Sequence, residues 1–306
     1  MRLGLGMMVK DEVNRIAGCL EDILDLFEQV VVFDTGSTDG TQELLRDRFG
    51  IEPIAADLDA SNCLCKCDLR NRGFSLLETP WILSLDADER IAGDDLKKII
   101  DLDDAPGVSG YFCAWNTYKN GGVVEDYKLF FFRKGARSSG LVHDNIQTDV
   151  RARGLRAEWL DGISIAHYPE PSKARAKART YRDRLLCAIE IDPSWYRYHW
   201  FLGYMCFREA RLDEAVTYLS VAADSRSTEF PVECLNSAMV LAEIYARQGR
   251  TRELEDTLAA ARAFHQQVAG DFEVEVNIRL GPWLDSALEY CRRNEPDSIK
   301  TYEFAY

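Results

Sequence analysis

The chain has 306 residues, of which 46% are hydrophobic, enough to form a sizeable core without disulfide bonds. Its formal net charge of −14 at pH 7 argues against bulk nucleic-acid binding. The nine cysteines, an odd number, disfavour a complete disulfide framework and favour a reducing compartment. Since neither a charged-then-apolar leader nor a bilayer-length apolar run is visible, the sequence predicts a cytoplasmic protein without an integral membrane segment.

Strand and helix patterns alternate from the N-terminus to about Ile100. Short apolar runs predict strands, and apolar residues at helical spacing predict helices. The predicted strands are Leu3–Val9, Val30–Phe33, Ile51–Ile54 and Trp81–Leu85, and the predicted helices are Asn14–Phe27, Thr41–Phe49 and Asp68–Leu77. This alternation is typical of an α/β domain with a mostly parallel, Rossmann-like sheet.

The second predicted strand ends in Asp34 and is followed by a polar, glycine-bearing turn that extends to Thr41. A carboxylate at the carboxyl end of such a strand lies at the crevice where open α/β sheets bind ligands. Asp34 can there accept hydrogen bonds from ribose hydroxyls or from the imide of a uracil ring. Gly36 would let the backbone approach that ligand closely.

A second buried strand also runs directly into carboxylates, here Asp86, Asp88 and Glu89. Residues two apart on an extended backbone point the same way, so Asp86 and Asp88 can converge on one object. Magnesium and manganese prefer oxygen ligands and commonly bridge protein carboxylates to substrate phosphates. The alternative is that the two acids simply cap the strand and the N-terminus of the next helix.

Beyond Gly110 the patterns are short strands at Gly110–Trp115, Lys128–Arg133 and Ile163–Tyr168. The chain is then interrupted by prolines at positions 169 and 171, and Ser172 is the predicted N-cap of a helix. We therefore expect two domains, residues 1–170 and an all-α domain of residues 171–306.

The helical domain shows a weak internal repeat. Small and apolar residues recur after 39 residues: Leu202, Gly203, Ala215, Leu219 and Ala222 are followed by Leu241, Ala242, Leu254, Leu258 and Ala261. These positions resemble the small and apolar sites of tetratricopeptide (TPR) helix pairs, and they predict about two degenerate repeats. Such a domain can bind peptides, brace the first domain or form a homodimer, and the sequence leaves these roles open.

Four motifs of the N-terminal half stand in a recognisable order. They are Met7-Met8-Val9-Lys10-Asp11-Glu12, the turn from Asp34 to Thr41, the pair Arg70-Asn71, and Asp86-Ala87-Asp88-Glu89. In this order they resemble the family-two glycosyltransferases of the GT-A fold. The branch that looks most similar includes bacterial enzymes with a helical-repeat tail, such as peptide S- or O-glycosyltransferases and lipopolysaccharide-type transferases.

The resemblance implies a nucleotide-sugar donor, most simply a uridine diphosphate (UDP) sugar, as co-substrate. It implies that the donor is bound by Val9, Lys10, Glu12, Asp34, Gly36, Arg70, Asp86 and Ala87. Arg70 offers a bidentate, permanently charged guanidinium for the diphosphate. Its alternative role is an ordinary surface ion pair.

The resemblance also implies a divalent metal, Mn²⁺ or Mg²⁺, with Asp88 as the first ligand and His167 as the second. Val142-His143-Asp144 resembles the His-Glu pair that such enzymes carry before the final strand, with Asp in place of Glu. The expected general base is therefore Asp144. Asp126, in the acidic pair Glu125-Asp126, is its competitor.

The expected activity is metal-dependent, inverting transfer of a sugar to a peptide, protein or glycan. A modified nucleic-acid base is a further acceptor class: the net charge disfavours it, but the +6 segment between Arg133 and Arg184 does not. A non-catalytic adaptor with a relic transferase domain is the alternative from another class. A nucleotidyltransferase is disfavoured because the first strand lacks a glycine-rich, basic triphosphate loop.

Three cysteines, Cys63, Cys65 and Cys67, alternate ahead of the Arg70 helix. Structural zinc sites space their ligands differently and use a second cluster, which this sequence lacks. We therefore expect free thiols at these positions.

Overall fold

A computed structural model describes residues 1–56, 65–102, 105–119, 121–169, 171–270, 280–302 and 304, with only the backbone described at 65 and 171–180. The chain divides into two compact units, Met1–Ala174 and Arg175–Phe304. The sequence-based boundary after residue 170 stays a prediction.

The first unit alternates strands and helices and then adds a long hairpin. Its strands are β1 (Leu3–Val9), β2 (Gln29–Asp34), β3 (Ile54–Ala55), β4 (Trp81–Ser84), β5 (Glu89–Ile91), β6 (Val108–Lys119), β7 (Gly122–Arg133) and β8 (Arg156–His167). Its helices are α1 (Ile16–Leu20), α2 (Thr41–Phe49), α3 (Cys65–Leu76), α4 (Gly93–Ile100) and α5 (Gln147–Ala152), with a 3₁₀ turn at Leu24–Leu26.

All these strands form one mixed sheet in the order β3-β2-β1-β4-β7-β6-β8-β5. The pairs β2·β3, β1·β2 and β1·β4 are parallel, as predicted, whereas β4·β7, β6·β7 and β5·β8 are antiparallel and β6·β8 is parallel. Strands β2 and β3 lie on one side of β1 in the sheet, and the chain then crosses over to place β4 on the other side. The crevice beside the carboxyl ends of β1 and β4 is therefore the topological switch point of the sheet.

The two faces of the sheet carry separate apolar clusters. One face packs against α1, α2 and α4 through residues such as Ile16, Leu45 and Leu96. The other face packs against α3 and α5 through Phe74 and Val150. The first unit is thus a three-layer α/β/α structure, which agrees with the predicted α/β class.

Strand β1 alternates large side chains with glycines because the layers packed on its two faces lie at different distances from the backbone. Leu3, Leu5 and Met7 are buried in the first cluster. Gly6 faces α3, where a Cβ atom would lie 2.9 Å from the ring of Phe74. Glycine therefore lets α3 pack directly on the backbone of the central strand.

Some predicted elements have different bounds in the structure. The predicted helix Asn14–Phe27 is wrong: only Ile16–Leu20 is α-helical, and Leu24–Leu26 forms a 3₁₀ turn. The apolar residues keep helical spacing across that break, so periodicity alone does not reveal it. The strand predicted at Ile51–Ile54 is present but displaced to Ile54–Ala55, because the N–H of Ile51 instead donates to Leu45 O at the end of α2.

The three strands predicted after Gly110 are all present and all longer than predicted, at 12 residues each. Their register decides which side chains share a face. Trp115 lies opposite both Asp126 and Ile165, and Thr117 lies opposite His167. Trp115, Thr117, Asp126, Lys128 and His167 therefore project from one face of the sheet.

The second unit is helical throughout its described ranges. Its helices are α6 (Pro171–Ile191, which begins in the first unit), α7 (Tyr196–Arg208), α8 (Leu212–Ser225), α9 (Pro231–Arg247), α10 (Thr251–Val268) and α11 (Gly281–Arg292), followed by a 3₁₀ turn at Pro296–Ser298. Helix α6 begins at Pro171, so Ser172 lies in its first turn and is not its N-cap. Among the helices of the described ranges, none combines the length and apolar character that crossing a membrane requires.

Helices α7 and α9 are joined by a buried ion pair. Arg197 and Glu233 are 8% and 4% exposed, and their side chains lie 2.9 Å apart. The Arg197 guanidinium also lies 3.9 Å from the ring centroid of Phe230. Breaking such a pair leaves an uncompensated buried charge, so these contacts fix the packing of the two helices.

We expect Gly6→Ala to lower the free energy of unfolding by about 1–3 kcal/mol, because the added methyl group forces Phe74 or α3 to move. Gly122→Ala is the matched control: it is also in a strand, but the nearest atom to its added Cβ is 3.8 Å away. Its effect should stay below about 1 kcal/mol. Urea unfolding measures both, and equal effects would contradict the close packing of α3 on β1.

Candidate active site

The loops that follow β1 and β2 are held together by hydrogen bonds. The N–H groups of Asp11 and Glu12 donate to Ser37 Oγ at 2.9 Å and Thr41 Oγ1 at 2.8 Å, while Asp11 Oδ1 accepts from the N–H of Thr38 at 2.8 Å. Thr35 Oγ1 donates to Val9 O at 3.1 Å. Two predicted nucleotide motifs are thereby fixed side by side at the crevice.

Asp34 is 1% exposed and organises the second of these loops. Its Oδ1 accepts from the N–H groups of Gly36 and Ser37 at 3.0 and 2.9 Å and from Gln42 Nε2 at 2.7 Å. Its Oδ2 is buried and has no hydrogen-bond partner among the described residues. One oxygen thus builds the turn, and the other is a buried acceptor that a ligand donor could satisfy.

The other predicted donor-binding residues of these loops differ in exposure. Val9 is buried at the end of β1 in register with Asp34, and Lys10 is exposed just beyond it. Gly36 adopts a φ of +92°, which only glycine reaches without strain. Glu12 is ion-paired with Arg15, so its carboxylate is committed to a neighbour within the protein.

Arg70 of α3 joins two carboxylates that are far apart in the sequence. Its Nη2 lies 2.8 Å from Asp86 Oδ1, and its Nε lies 3.1 Å from Asp144 Oδ2. Arg70 and Asp144 side chains are 15% and 14% exposed, whereas Asp86 is 38% exposed. The ordinary surface ion pair that the sequence left open for Arg70 is therefore excluded, since its guanidinium is mostly buried.

The charges of this group shift one another's pKa values. Burial alone would raise the pKa of Asp86, but the adjacent charges of Arg70 and Lys128 outweigh burial and hold that pKa well below its ordinary value. Burial likewise acts to lower the pKa of Arg70, but the charges of Asp86 and Asp144 raise it further above its ordinary range. Asp86 and Arg70 are therefore both charged at neutral pH.

The two predicted metal ligands lie next to each other. His167 Nε2 is 3.7 Å from Asp88 Oδ2, and the Tyr168 N–H donates to Asp88 O at 2.9 Å. The other ring nitrogen of His167 lies 3.0 Å from Thr117 Oγ1, and the ring stacks on Trp115 with centroids 4.7 Å apart. The imidazole is thus held on both its edge and its face, which is how a metal-binding histidine is usually oriented.

The donor set fits a divalent metal. Carboxylate oxygen and imidazole nitrogen are both ligands for ions such as Mn²⁺. No group of three or more His, Cys, Asp or Glu side chains in the described ranges could hold a metal ion alone. Substrate phosphates or water would therefore have to complete the shell around Asp88 and His167.

A buried ion pair supports the turn between Asp86 and Asp88. Glu89 is 1% exposed; its Oε2 accepts from the N–H of Asp86 and its Oε1 from Lys128 Nζ, both at 2.8 Å. Lys128 Nζ also lies 5.6 Å from the ring centroid of Trp115, which stacks on His167. Glu89 and Lys128 therefore connect the Asp86 turn to the strand face that carries His167.

The structure distinguishes the two acids of the pair Glu125-Asp126. By register, Asp126 shares the sheet face of Trp115 and Lys128, whereas Glu125 projects from the opposite face and accepts from Tyr127 Oη at 3.1 Å. Asp126 is therefore on the side of the predicted metal ligands. Asp144 is held near Asp86 because both carboxylates contact Arg70.

Several residues of this site carry no prediction of their own. In the sequence, Glu89 is only one member of the Asp86–Glu89 motif. Only a strand or helix pattern marks Arg15, Trp115, Thr117 and Lys128. Arg15 Nη1 lies 3.8 Å from Asp88 Oδ2, which brings a cation from the first loop to the metal pair. Period-2 alternation in β6 and β7 could have identified Thr117 and Lys128 once their register was known.

Of the three alternating cysteines, Cys63 and the side chain of Cys65 lie outside the described residues. Cys67 lies in α3, and burial, together with the charges of Asp68 and Asp144, raises the pKa of its thiol. A raised pKa disfavours the reactive thiolate form.

We expect Glu89→Gln to change how stability depends on pH. Burial, reinforced by the Asp86 charge, raises the pKa of Glu89 above its ordinary value despite Lys128. A raised folded-state pKa gives stability that is complete below the unfolded pKa of about 4.3 and is lost as pH rises through the folded pKa. The unfolding free energy of the wild type minus that of Glu89→Gln should therefore fall between pH 4 and pH 7.

The measurement is urea unfolding of both proteins across that range. Glu125→Gln, which removes an exposed carboxylate of β7, serves as the control and should show no such fall. A difference that rises with pH would contradict the raised pKa of Glu89.

Comparison with known proteins agrees with the motifs. The family model described as Glycosyl transferase family 2 matches residues 5–157, half of the chain. The SPbeta prophage-derived glycosyltransferase SunS of Bacillus subtilis is 23% identical over 224 residues, which are 70% of this chain and 51% of SunS. The chain thus spans about half the length of this curated relative. A TPR repeat-containing protein of Synechococcus elongatus is 30% identical over 111 residues, 34% of this chain and 25% of that protein.

Solved structures show more distant likenesses. Residues 1–349 of S. aureus TarS in complex with UDP are 14% identical, with a TM-score of 0.47, and the match covers 87% of this chain and 92% of TarS 1–349. The mannosyltransferase PcManGT from Pyrobaculum calidifontis, in complex with GDP-Man and Mn²⁺, is 18% identical with a TM-score of 0.44 and 86% coverage of each chain. Likenesses at this level do not extend a ligand or an activity to this chain.

The matched segment extends from within β1 through β7 and includes the Asp34, Asp86 and Asp144 positions, so the predicted resemblance to family-two glycosyltransferases of the GT-A fold is confirmed. The chain belongs to glycosyl transferase family 2.

Proposed function

We propose that this protein is a metal-dependent glycosyltransferase that moves a sugar from a nucleotide-sugar donor to an acceptor hydroxyl or thiol, with inversion at the anomeric carbon. The observation that carries the proposal is the approach of His167 to Asp88 beside the Arg70–Asp86 pair. These groups come from separate elements and meet at the switch point of the sheet, where ligands bind in open α/β folds.

The donor is a UDP-sugar in this proposal. The buried, unpartnered Oδ2 of Asp34 supports it, because a uracil imide or a ribose hydroxyl supplies the missing donor. Val9 ends β1, Lys10, Glu12 and Gly36 belong to the loops that follow β1 and β2, and Asp86 and Ala87 follow β4. In this proposal they all border the same crevice. Arg70, permanently charged and reached from solvent beside the partly exposed Asp86, serves the diphosphate.

Asp88 and His167 hold the metal, Mn²⁺ or Mg²⁺. When bound, the metal stabilises the negative charge of the leaving diphosphate. Thr117 and Trp115 keep the imidazole in place for this role. Glu89 and Lys128 keep the Asp86–Asp88 turn in place.

The acceptor is activated by Asp144, with Asp126 as the competing base. The base takes the proton of the acceptor hydroxyl or thiol as the acceptor oxygen or sulfur forms its bond to the anomeric carbon. The bond from that carbon to the diphosphate oxygen breaks, and nucleoside diphosphate leaves. Attack from the face opposite the leaving group inverts the anomeric centre.

A peptide, protein or glycan is the proposed acceptor class. The helical second unit, together with the 111-residue match to a TPR repeat-containing protein, supports a peptide or protein, because helical repeats present extended surfaces. The proposed location is the cytoplasm. The surface of the helical unit could instead form a homodimer.

A thermal-shift panel of UDP-glucose, UDP-galactose and UDP-N-acetylglucosamine, each with and without Mn²⁺, tests donor binding. We expect one sugar nucleotide to raise the melting temperature only with Mn²⁺, since a ligand at 100 times its Kd stabilises the folded state by about 2.7 kcal/mol. Asp88→Ala should abolish this shift. Asp94→Ala, which removes a highly exposed carboxylate on α4, is the matched control and should keep it.

Absence of any shift in well-folded wild-type protein would contradict the transferase proposal. It would favour the non-catalytic adaptor, in which the helical unit would bind a partner. A shift without Mn²⁺ that survives Asp88→Ala would leave the donor assignment intact and contradict the metal assignment.

Two variants separate the candidate bases. We expect Asp144→Asn to lower the rate of UDP release from the selected donor by about 10²–10⁴-fold, as loss of a general base does, without changing the donor-induced thermal shift. Asp126→Asn should lower it much less. The reverse order of effects would assign the base to Asp126.

A further inference from the structure

The loop that carries Asp144 is held in a conformation that its own backbone does not favour. This Asp144 loop, residues 138–145, contains His143 at φ +54° and Gly140 at φ +107°. A non-glycine residue in the left-handed region is strained and persists only where its surroundings enforce it. The two ends of the loop are joined by reciprocal backbone hydrogen bonds between Ser139 and Asn145, both at 2.9 Å.

Helix α3 enforces this conformation through Asn71. The Asn71 side chain donates from Nδ2 to Ser138 O at 2.8 Å and accepts at Oδ1 from the Ser138 N–H at 2.7 Å. The amide thus binds both backbone groups of one residue, in the manner of a neighbouring strand. Ser138 is 5% exposed, so water is a poor substitute for these contacts.

Ser138 in turn contacts Asp144. Its hydroxyl donates to Asp144 Oδ2 at 2.6 Å, and the same oxygen lies 3.1 Å from Arg70 Nε. A charge-assisted hydrogen bond of this length is among the strong ones. Oδ1 of Asp144 has no hydrogen-bond partner within the described part of the chain. One carboxylate oxygen is therefore anchored twice, and the other is left to take a proton.

We propose that Ser138 and Asn71 are positioning residues that orient Asp144 so that Oδ1 faces the acceptor. Asn71 fixes the backbone of Ser138, and Ser138 fixes the rotation of the Asp144 carboxylate. Neither residue touches the substrate. This inference rests on the proposed function, in which Asp144 is the base.

The test uses full-length protein and acceptor-free hydrolysis, in which water takes the place of the acceptor and UDP release from the UDP-sugar of the thermal-shift panel is measured. We expect Ser138→Ala to lower kcat by about 10- to 100-fold, the effect of losing one bond to a charged group that sets geometry. The KM for the donor and the donor-induced thermal shift should not change. Asn71→Ala should have the same signature.

Ser139→Ala is the matched control. It removes the neighbouring hydroxyl of the same loop, which is buried without a hydrogen-bond partner among the described residues. We expect wild-type kcat from this variant. A loss equal to that of Ser138→Ala would show that the loop tolerates no change, and it would overturn the specific role of Ser138.

A double variant distinguishes positioning from a merely structural role. If Ser138 acts only through the Asp144 carboxylate, Ser138→Ala should cost nothing further in an Asp144→Asn background. An equal additional loss in that background would overturn the inference while leaving Asp144 as the base.

The remaining outcomes test the proposed function on which this inference rests. Wild-type activity in Asp144→Asn would remove the base assignment and the inference with it, although donor binding would stand. If the wild type showed no thermal shift and released no UDP, the transferase proposal itself would be contradicted. Where a variant unfolds, its melting temperature without ligand reveals it, and Ser138→Thr, which keeps the hydroxyl, should then restore kcat.

Discussion

The ion pairs of Arg70 are the interaction on which the organisation of the site depends. Asp86 follows a central strand and Asp144 lies in a distant loop, and no main-chain hydrogen bond among the described residues joins them. One mostly buried guanidinium contacts both, at 2.8 and 3.1 Å. Without that charge two carboxylates would face each other in a region where water screens them poorly. Arg70 thus joins the crevice at the end of β4 to the Asp144 loop.

The scaffold beneath this contact divides its tasks between two kinds of strand pairing. Parallel strands β1, β2 and β4 end together and present loops to the crevice. The antiparallel hairpin of β6 and β7, with β8 beside it, presents whole side chains from one sheet face instead. The loops after β1 and β2 are therefore held by hydrogen bonds between side chains and backbone groups, whereas Lys128, Trp115 and His167 are held by register and stacking.

Much of the donor side could be predicted from sequence because its signals are local. The bounds of β1 and α2 match the predicted ones, since alternating large residues and glycine mark the strand, and a turn at Gly40 and a left-handed Gly50 flank the helix. Asp34, Asp86 and Asp88 each follow directly on an apolar run. The approach of His167 to Asp88 followed from the family resemblance, and the structure brings the two together at 3.7 Å.

The contacts that depend on tertiary packing could not be predicted. The pairing of Arg70 with Asp144, and of Asn71 with Ser138, joins residues whose separation in the chain gives no pattern. Glu89 looked like part of a motif, but its burial and its bond to Lys128 follow only from the β5–β8 and β6–β7 registers. The break after α1 was also invisible, because apolar spacing continues across it.

The register of the β6–β7 hairpin has a consequence for how this chain can tolerate change in length. Side chains alternate between faces with a period of two, so deleting or inserting one residue inside β6 or β7 would turn every later side chain of that strand to the other face. A change early in β6 would turn Trp115 and Thr117 away from the site together, and a change early in β7 would do the same to Asp126 and Lys128. Substitutions along the hairpin act one residue at a time, whereas a single-codon deletion in either strand would remove two site residues in one step.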